Sequence, residues 1–374
     1  MLPPEDMVFL SAIAFIVLLT VLILIHELGH FAIARWAGIE VEEFGFGLPP
    51  RATTIYRWGK TRFTVNWVPF GGFVRLKGEG ALDAQERRAK GSFAAASVPA
   101  RLAVLVAGVV MNFLLAVILL VGGFWIGRWI PTYTSLESME AAAARGEITL
   151  ELGVLIDQVA NDGTAATAGV PSNAFLLAVD RAPVRHSDDV VVLQAGKEAV
   201  TYTVQERDAE PRDVWVPLAE GKAGVVLRTV PRTLSADRRS LPQALVLATR
   251  EISAVSAQTV AGIGNLVVSV LGTGVVPEGV TGIVGIARLT HSSVQEGWHV
   301  YLRLVALLSL SLAILNILPF PALDGGRMAF VLYEAVTGRP MGRRFELGVN
   351  SLGFILLLVL ILFVTVYDVL RLFR

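Results

Sequence analysis

Four long windows without a charged residue constrain this chain more than any other feature of its sequence. They cover residues 7–25, 102–127, 304–323 and 347–367, and each is dense in Leu, Val, Ile, Phe and Ala. A bilayer core about 30 Å thick needs roughly 20 apolar residues in a helix. With 54% hydrophobic and 17% charged residues, the chain is too apolar for an ordinary soluble enzyme. We therefore predict a multi-pass α-helical membrane protein with four transmembrane helices.

Composition excludes several functional classes. The 32 Lys and Arg residues balance the 32 Asp and Glu residues, which argues against a nucleic-acid partner. The chain contains no cysteine, so a disulfide, a thiolate nucleophile and a Cys-ligated metal are all excluded. Any metal ligand must therefore be a His or a carboxylate side chain.

The distribution of Lys and Arg predicts the orientation of the chain. These residues are frequent between Arg35 and Arg101 and again between Arg327 and Arg344, whereas the tail before residue 7 has none. Because basic loops remain in the cytoplasm, we expect both termini and the long region between the second and third windows to be extracytoplasmic. We interpret Arg327 as a cationic anchor at the inner boundary and Asp368 as another boundary residue.

A fifth uncharged window, residues 252–277, is long enough to cross a bilayer. Several Ser, Thr, Gln, Asn and Gly residues reduce its hydrophobicity, and it follows a Ser240-Leu241-Pro242 helix start. The spacing of the apolar residues from Leu245 onward is typical of an amphipathic helix. We therefore expect this segment to lie at the outer membrane surface.

The extracytoplasmic region contains a hydrophilic part that could fold alone. Strand-like runs occur at 152–159, 174–179, 200–204 and 225–230, which predicts a small α+β domain. Residues 165–170 and 176–184 resemble a helix and the following strand and turn of a PDZ domain. Ser172-Asn173 replaces the Gly-Asp that usually precedes this strand.

The cytoplasmic loop contains a second β region. Thr61–Val68 alternates between aromatic or apolar and polar residues, and Trp58-Gly59-Lys60 supplies a turn from the preceding run at 53–57. These features predict a β-hairpin. Because aromatic and glycine residues flank it, we expect it to pack against the membrane or dip into it near the end of the first span.

The sequence His26-Glu27-Leu28-Gly29-His30 is the strongest indication of chemistry. Two His residues at positions i and i+4 lie on one helical face and can share a zinc ion, with Glu27 beside them as general base. Chance occurrence of structural histidines is the alternative. Ionisable residues at the end of a membrane span are costly and usually functional, which favours the metal site.

A catalytic zinc site normally has three protein ligands. The other three histidines, His186, His291 and His299, fall on the predicted outer side, so the third ligand should be a carboxylate. Asp324 fits, because Pro319 and Pro321 break the helix before it and two glycines follow it. Irregular backbone of this kind is tolerated at membrane depth when it lines a cavity. This assignment requires the first and third spans to run in the same direction, which holds only if 252–277 does not cross.

Together these motifs resemble the site-2 protease family of intramembrane zinc metalloproteases, and most closely its bacterial RseP type. The resemblance rests on the HELGH motif, on the Asn316-to-Gly325 motif, on the PDZ-like domain, on Pro69–Val74 and on Thr281–Ile286. It departs from the family in having one PDZ-like domain where some members have two, and Ile283 where Pro is common.

The resemblance implies that His26, His30 and Asp324 bind Zn²⁺ and that Glu27 activates water. It also implies that Asn316 contacts the substrate backbone, and that Asn112 helps to position substrate or transition state. For Asn112, a hydrogen bond to a neighbouring helix is an equally good explanation. An unwound substrate could add as a strand to an edge of the 53–68 hairpin.

The predicted function is an intramembrane zinc endopeptidase acting on single-pass membrane proteins in regulated proteolysis, such as cleavage of anti-sigma factors or remnant signal peptides. The expected location is the bacterial plasma membrane, with the active site toward the cytoplasm and a peptide or protein tail as a possible PDZ ligand. A catalytically inactive PDZ-containing scaffold is the alternative. A metal transporter is less favoured, because it would carry several ligands along a path.

The expected segments follow the chain in this order: a first transmembrane helix with HELGH (1–36), a cytoplasmic-side loop with a membrane-associated β-hairpin (37–100), a second transmembrane helix (101–128), a linker (129–147), a PDZ-like domain (148–231), an outer amphipathic helix and membrane-surface segment (232–298), a third transmembrane helix with LDG and an inner loop (299–346), and a fourth transmembrane helix (347–374).

Overall fold

A computed structural model describes residues 4–133, 135–206, 209–277 and 279–371. Residues 1–3 of the predicted segment 1–36 and residues 372–374 of the predicted segment 347–374 lie outside this described part. The helices are α1 (Pro4–Trp36), α2 (Ala84–Arg88), α3 (Val98–Trp125), α4 (Leu136–Ala144), α5 (Thr164–Thr167), α6 (Ser187–Gln194), α7 (Leu241–Thr273), α8 (Ile283–Glu296), α9 (Trp298–Ile317), α10 (Asp324–Thr337) and α11 (Arg343–Arg371).

The strands are β1 (Val41–Trp58), β2 (Thr61–Leu76), β3 (Thr149–Val159), β4 (Ala174–Val179), β5 (Ala182–Pro183), β6 (Ala199–Gln205), β7 (Arg212–Pro217) and β8 (Val225–Ser235). The chain divides into two compact units. One comprises Met1–Gly127 and Ser240–Arg374, and the other comprises Arg128–Arg239.

Five described helices are long and apolar enough to cross a bilayer, which makes the chain a multi-pass membrane protein. Four of them, α1, α3, α9 and α11, contain or largely overlap the uncharged windows of the sequence. The fifth is α7, the least hydrophobic of the five. Length and composition do not decide whether α7 crosses, so the count of four spans stays a prediction.

Helix α7 begins directly after Ser240, at the helix start that the sequence indicated. It continues for 33 residues, Leu241–Thr273, with a proline in its first turn, and Gly274 ends it in the left-handed conformation. Glu251 pairs with Arg303 at 2.8 Å, and the hydroxyls of Thr259 and Ser311 lie 3.4 Å apart. Both pairs are 52 residues apart in sequence, so α7 runs beside α9 in the same direction. The window 252–277 thus lies mostly within one continuous helix, and its expected place at the outer membrane surface stays a prediction.

Helix α3 lies between α1 and α9. Gly29 of α1 meets the main chain of α3, because a Cβ at that position would lie 2.3 Å from the carbonyl oxygen of Ala107. On the other side, the Ser309 hydroxyl of α9 donates to the carbonyl oxygen of Asn112 at 2.8 Å. Small residues and interhelical hydrogen bonds are the usual means of helix packing in membranes.

Strands β1 and β2 form an antiparallel sheet in which each strand bends and contributes two segments. Residues 41–46 pair with 72–76 on one side and 62–65 on the other, so that Phe44 is opposite both Val74 and Phe63. Residues 53–58 pair with 61–65 across a turn at Gly59-Lys60, as the hairpin pattern indicated. The segments therefore lie in the order 72–76, 41–46, 61–66 and 51–58. Residues 41–46 and 72–76 lie partly in glycine-rich stretches that do not show strand alternation in the sequence.

The unit Arg128–Arg239 contains a six-stranded antiparallel sheet in the order β7, β6, β4, β3, β8, with β5 paired to β4. The four strand-like runs of the sequence lie within β3, β4, β6 and β8. Its core contains Val154, Ile156, Leu176, Tyr202 and Val216, each no more than 1% exposed. The PDZ-like assignment of this unit stays a prediction.

Asp368, which we interpreted as a boundary residue, makes a specific contact within the fold. It is buried near the end of α11, and its Oδ2 accepts hydrogen bonds from the N–H groups of Gly282 (2.8 Å) and Gly285 (2.9 Å) at the start of α8. A Cβ on Gly285 would lie 2.7 Å from the Cβ of Thr281 and 3.1 Å from this carboxylate oxygen. The glycines of the Thr281–Ile286 motif thus allow α11 to cap α8.

We expect Asp368→Ala to lower the free energy of unfolding by about 1–2 kcal/mol, because two buried helix-terminal N–H groups lose their acceptor. Thermal or denaturant unfolding in detergent measures the change. Glu296→Ala, at an exposed position of α8, should change stability by less than about 0.5 kcal/mol. Equal stability of Asp368→Ala and this control would contradict the capping role.

Candidate metal centre

His26, Glu27 and His30 lie within the last three turns of α1. Glycine at two positions brings α3 against them. A Cβ at Gly108 of α3 would lie 2.6 Å from Nε2 of His30 and 2.7 Å from Cε1 of His26, and a Cβ at Gly29 would clash with the main chain of α3. The two imidazoles therefore fit only because position 108 is a glycine, which has no side chain.

Asp324 reaches these histidines because the chain turns sharply after α9. The helix ends at Ile317 before Pro319 and Pro321, and Ala322 adopts φ 75°. A Cβ at Gly325 would lie 2.0 Å from the Leu318 carbonyl oxygen, and one at Gly326 would lie 2.3 Å from that of Phe320. Both glycines are therefore required for α10 to begin at Asp324, directly against the end of α9. A bidentate ion pair between Arg101 of α3 and Glu334 of α10 (2.9 and 2.6 Å) also holds α10 against α3.

The three predicted ligands converge on one point. Nε2 of His26 lies 2.8 Å from Oδ2 of Asp324, Nε2 of His30 lies 3.2 Å from the same oxygen, and the two Nε2 atoms are 3.1 Å apart. Each side chain is about nine-tenths buried. Ligand atoms of a tetrahedral zinc with bonds of about 2.0–2.1 Å are separated by roughly 3.3 Å. Two imidazole nitrogens and one carboxylate oxygen at these separations fit a catalytic zinc with one open position.

A second contact orients His30. Its Nδ1 lies 2.7 Å from the carbonyl oxygen of Val104. A carbonyl can only accept, so Nδ1 carries the proton and Nε2 presents its lone pair to the metal position. Metal-ligating histidines usually have such an outer partner, which fixes the tautomer and the ring orientation.

The ligands open onto a cavity of about 320 Å³. Glu27 lines it beside the candidate metal position, and Val74 of β2 lines it as well. Asn316 also lines the cavity, and its amide donates to the Leu312 carbonyl oxygen at 3.1 Å. The cavity is lined by Ile23, His26, Glu27, His30, Phe73, Val74, Leu76, Glu79, Val104, Leu105, Leu312, Asn316, Ala322, Leu323, Asp324 and Arg327.

Asn112 occupies a different position from the one expected for a substrate contact. It is fully buried and is not among the described residues that line the cavity. Its Nδ2 lies 3.4 Å from Nδ1 of His26, on the side of the ring away from the other ligands. The structure thus brings Asn112 to His26, one of the predicted metal ligands.

Arg327 and Glu79 are cavity residues that the sequence reasoning missed. We expected Arg327 to be a boundary anchor, but its guanidinium pairs with Glu79 at the end of the β region, and both residues line the cavity. Arg327 follows Asp324 by three residues on α10, so it lies on the same helical face. This spacing is the sequence feature that could have placed Arg327 near the candidate metal site. Nothing in the sequence indicated its partner, 248 residues away.

Comparison with known proteins assigns the family. The sequence profile of Peptidase family M50 matches residues 14–360, most of the chain. The chain belongs to this peptidase family, the site-2 proteases. It is 27% identical to a protein of Rickettsia conorii over 97% of this chain and 99% of the relative. It is 29% identical to one of a Nostoc species, over 96% of each chain, and 30% identical to one of Fusobacterium nucleatum subsp. nucleatum, over 98% and 100%.

Each of these relatives is named as a zinc metalloprotease. The M50 assignment and the His-His-Asp group agree with one another. This M50 peptidase is therefore a zinc metalloendopeptidase of a multi-pass membrane family. The identities of its individual ligands rest on the geometry described above.

We expect Gly108→Ala to reduce zinc content strongly although it removes no ligand, because the added Cβ would lie within 2.7 Å of both imidazoles. Zinc stoichiometry of detergent-purified protein measures this. Gly122→Ala on the same helix is the matched control, since nothing lies within 4 Å of its Cβ position. Full zinc in Gly108→Ala would mean that the two rings do not bind the metal in this arrangement.

Proposed function

We propose that this M50 peptidase cleaves single-pass, membrane-anchored proteins within or near the bilayer. The observation that carries the proposal is the position of Glu27 beside the His26, His30 and Asp324 triad, in a cavity at the ends of apolar helices. Removal of anti-sigma factors or of remnant signal peptides, in regulated intramembrane proteolysis, is the class of reaction that this arrangement serves.

His26, His30 and Asp324 would hold the zinc ion. When bound there, zinc lowers the pKa of a water molecule and polarises the scissile carbonyl group. Glu27 would take a proton from the attacking water and deliver it to the nitrogen of the leaving amine. Val74 of β2 lines the same cavity as this carboxylate. The nearly complete burial of the ligands limits competing water and strengthens charge interactions within the site.

The substrate must be unwound before its carbonyl can be attacked, because helical carbonyls are held in internal hydrogen bonds. Residues 72–76 form the outer segment of the β1–β2 sheet beside the cavity, where Phe73, Val74 and Leu76 line it. Strand addition to this segment would give the freed backbone groups new partners. This refines the expected edge from the 53–68 hairpin to residues 72–76. Asn316, in the same cavity, is suited to contact the substrate backbone.

The basic residues between α1 and α3 support a cytoplasmic active site, with both termini and the Arg128–Arg239 unit extracytoplasmic. The relatives named above are bacterial, which supports a location in the bacterial plasma membrane. A PDZ-like role for the Arg128–Arg239 unit, with a peptide or protein tail as ligand, belongs to the same proposal, as does the predicted order of segments along the chain.

Glu27→Gln is expected to keep stoichiometric zinc and to lower the cleavage rate by at least about 100-fold, because the amide cannot accept the proton of water. The assay uses a single-pass membrane peptide, with a helix-destabilising residue in its span, in detergent micelles. Glu137→Gln, at an exposed position of α4, is the control and should cleave at the wild-type rate. Undiminished cleavage by Glu27→Gln would reject Glu27 as general base, and a wild type that binds zinc but cleaves no membrane peptide would favour the scaffold.

A further inference from the structure

Three residues of α3 face the two imidazoles. Val104, Gly108 and Asn112 are four residues apart, so they form one stripe along the helix. The Val104 carbonyl oxygen contacts Nδ1 of His30, Gly108 leaves space for both rings, and the Asn112 amide contacts Nδ1 of His26. The two histidines thus have equivalent outer neighbours, one a main-chain carbonyl and the other a side-chain amide.

The Asn112 amide is costly where it lies. The residue is 0% exposed on an apolar helix, and its Oδ1 is buried without a hydrogen-bond partner among the described residues. A polar group buried without a partner destabilises a fold by about 1–3 kcal/mol. Packing between helices does not explain the side chain, because the Ser309 hydroxyl bonds to the main-chain carbonyl of Asn112 and would do so with any residue at position 112.

The chemistry of the metal site determines what His26 needs from this neighbour. Nε2 of His26 is the atom that meets Asp324 and His30, at 2.8 and 3.1 Å. If Nε2 gives its lone pair to a metal, the neutral imidazole carries its proton on Nδ1, which becomes a donor. The amide Nδ2 at 3.4 Å is also a donor, and two donors cannot bond. The amide oxygen, a half-turn away about the last side-chain bond, is the complementary partner.

We propose that in the zinc-bound enzyme Asn112 presents Oδ1 to His26 and accepts the hydrogen bond of its Nδ1–H. Asn112 is then a positioning residue that fixes the tautomer and orientation of a zinc ligand, as the Val104 carbonyl does for His30. It acts through His26 and does not touch the substrate. The inference rests on the proposed function, since it takes His26 as a ligand of the catalytic metal.

The test measures zinc affinity by competition with a chromophoric chelator in detergent-purified, full-length protein. Asn112→Leu keeps the approximate size but removes the acceptor, and we expect it to bind zinc about 10–100-fold more weakly. Asn112→Asp keeps an acceptor and lacks the donor, and it should retain near wild-type affinity. Ser309→Ala, which removes the hydrogen bond to the main chain of the same residue, is the matched control and should leave affinity unchanged.

A second measurement does not depend on the folding of any variant. The chain has five histidines, so a spectrum of ¹⁵N-histidine-labelled, zinc-loaded wild type can be assigned by single substitutions. His26 should show a protonated, slowly exchanging Nδ1. A proton on Nε2 of His26 in the zinc-loaded protein would overturn the proposal, as would wild-type zinc affinity in Asn112→Leu.

The outcomes separate this inference from the proposed function. The ligand set itself is contradicted if wild type binds no zinc, or if Asp324→Ala binds zinc as tightly as wild type does. If wild type binds zinc, Asp324→Ala loses it and Asn112→Leu keeps wild-type affinity, the proposed peptidase site stands and only the role of Asn112 is refuted. Weak zinc binding in both Asn112→Leu and Asn112→Asp, with both variants folded, would show that the donor of the amide matters and would also refute it.

Discussion

The close approach of α1, α3 and the turn before α10 is the constraint on which the rest of the site depends. Zinc ligands must lie within about 2 Å of a common point, so three side chains from two distant segments must be held to a fraction of an ångström. Glycine makes this possible at Gly29, Gly108, Gly325 and Gly326, where a Cβ would lie between 2.0 and 2.6 Å from a neighbouring atom. Apolar side chains cannot supply such contacts by hydrophobic burial alone, because lipid is as apolar as they are. Short-range packing therefore determines the geometry.

The apolar surroundings of the site also restrict its polar groups. Buried donors and acceptors have no water to return to, so each needs a partner within the protein. Main-chain groups provide two of them: the Val104 carbonyl for His30 and the Leu312 carbonyl for Asn316. Charged groups are paired across elements, as Arg101 is with Glu334 and Arg327 with Glu79. These pairs join α10 to α3 and to the β region, so the position of Asp324, the predicted third ligand, depends on all of them.

The sequence was sufficient for features that depend on local spacing or on exclusion. The histidine pair follows from helical periodicity, and Asp324 follows from the lack of cysteine and from the helix break before it. Features created by distant contacts could not be predicted. The pairing of residues 41–46 with both parts of β2 depends on glycine-rich stretches that show no alternation. The Arg327–Glu79 pair and the capping of α8 by Asp368 join residues more than 80 positions apart.

Helix α3 shapes the candidate metal site without contributing a ligand to it. The residues of α3 that face the two histidines include neither a His nor a carboxylate. One surface of the helix combines a main-chain carbonyl at Val104, an absent side chain at Gly108 and an amide at Asn112, in three successive turns opposite the two turns of α1 that carry His26 and His30. The two helices run antiparallel there, since the later histidine meets the earlier α3 residue. A side chain on Gly108 would move both rings, whereas a change at Asn112 would alter only the partner of His26. The geometry of the candidate metal site therefore depends as much on the shape and hydrogen bonding of α3 as on the predicted ligands themselves.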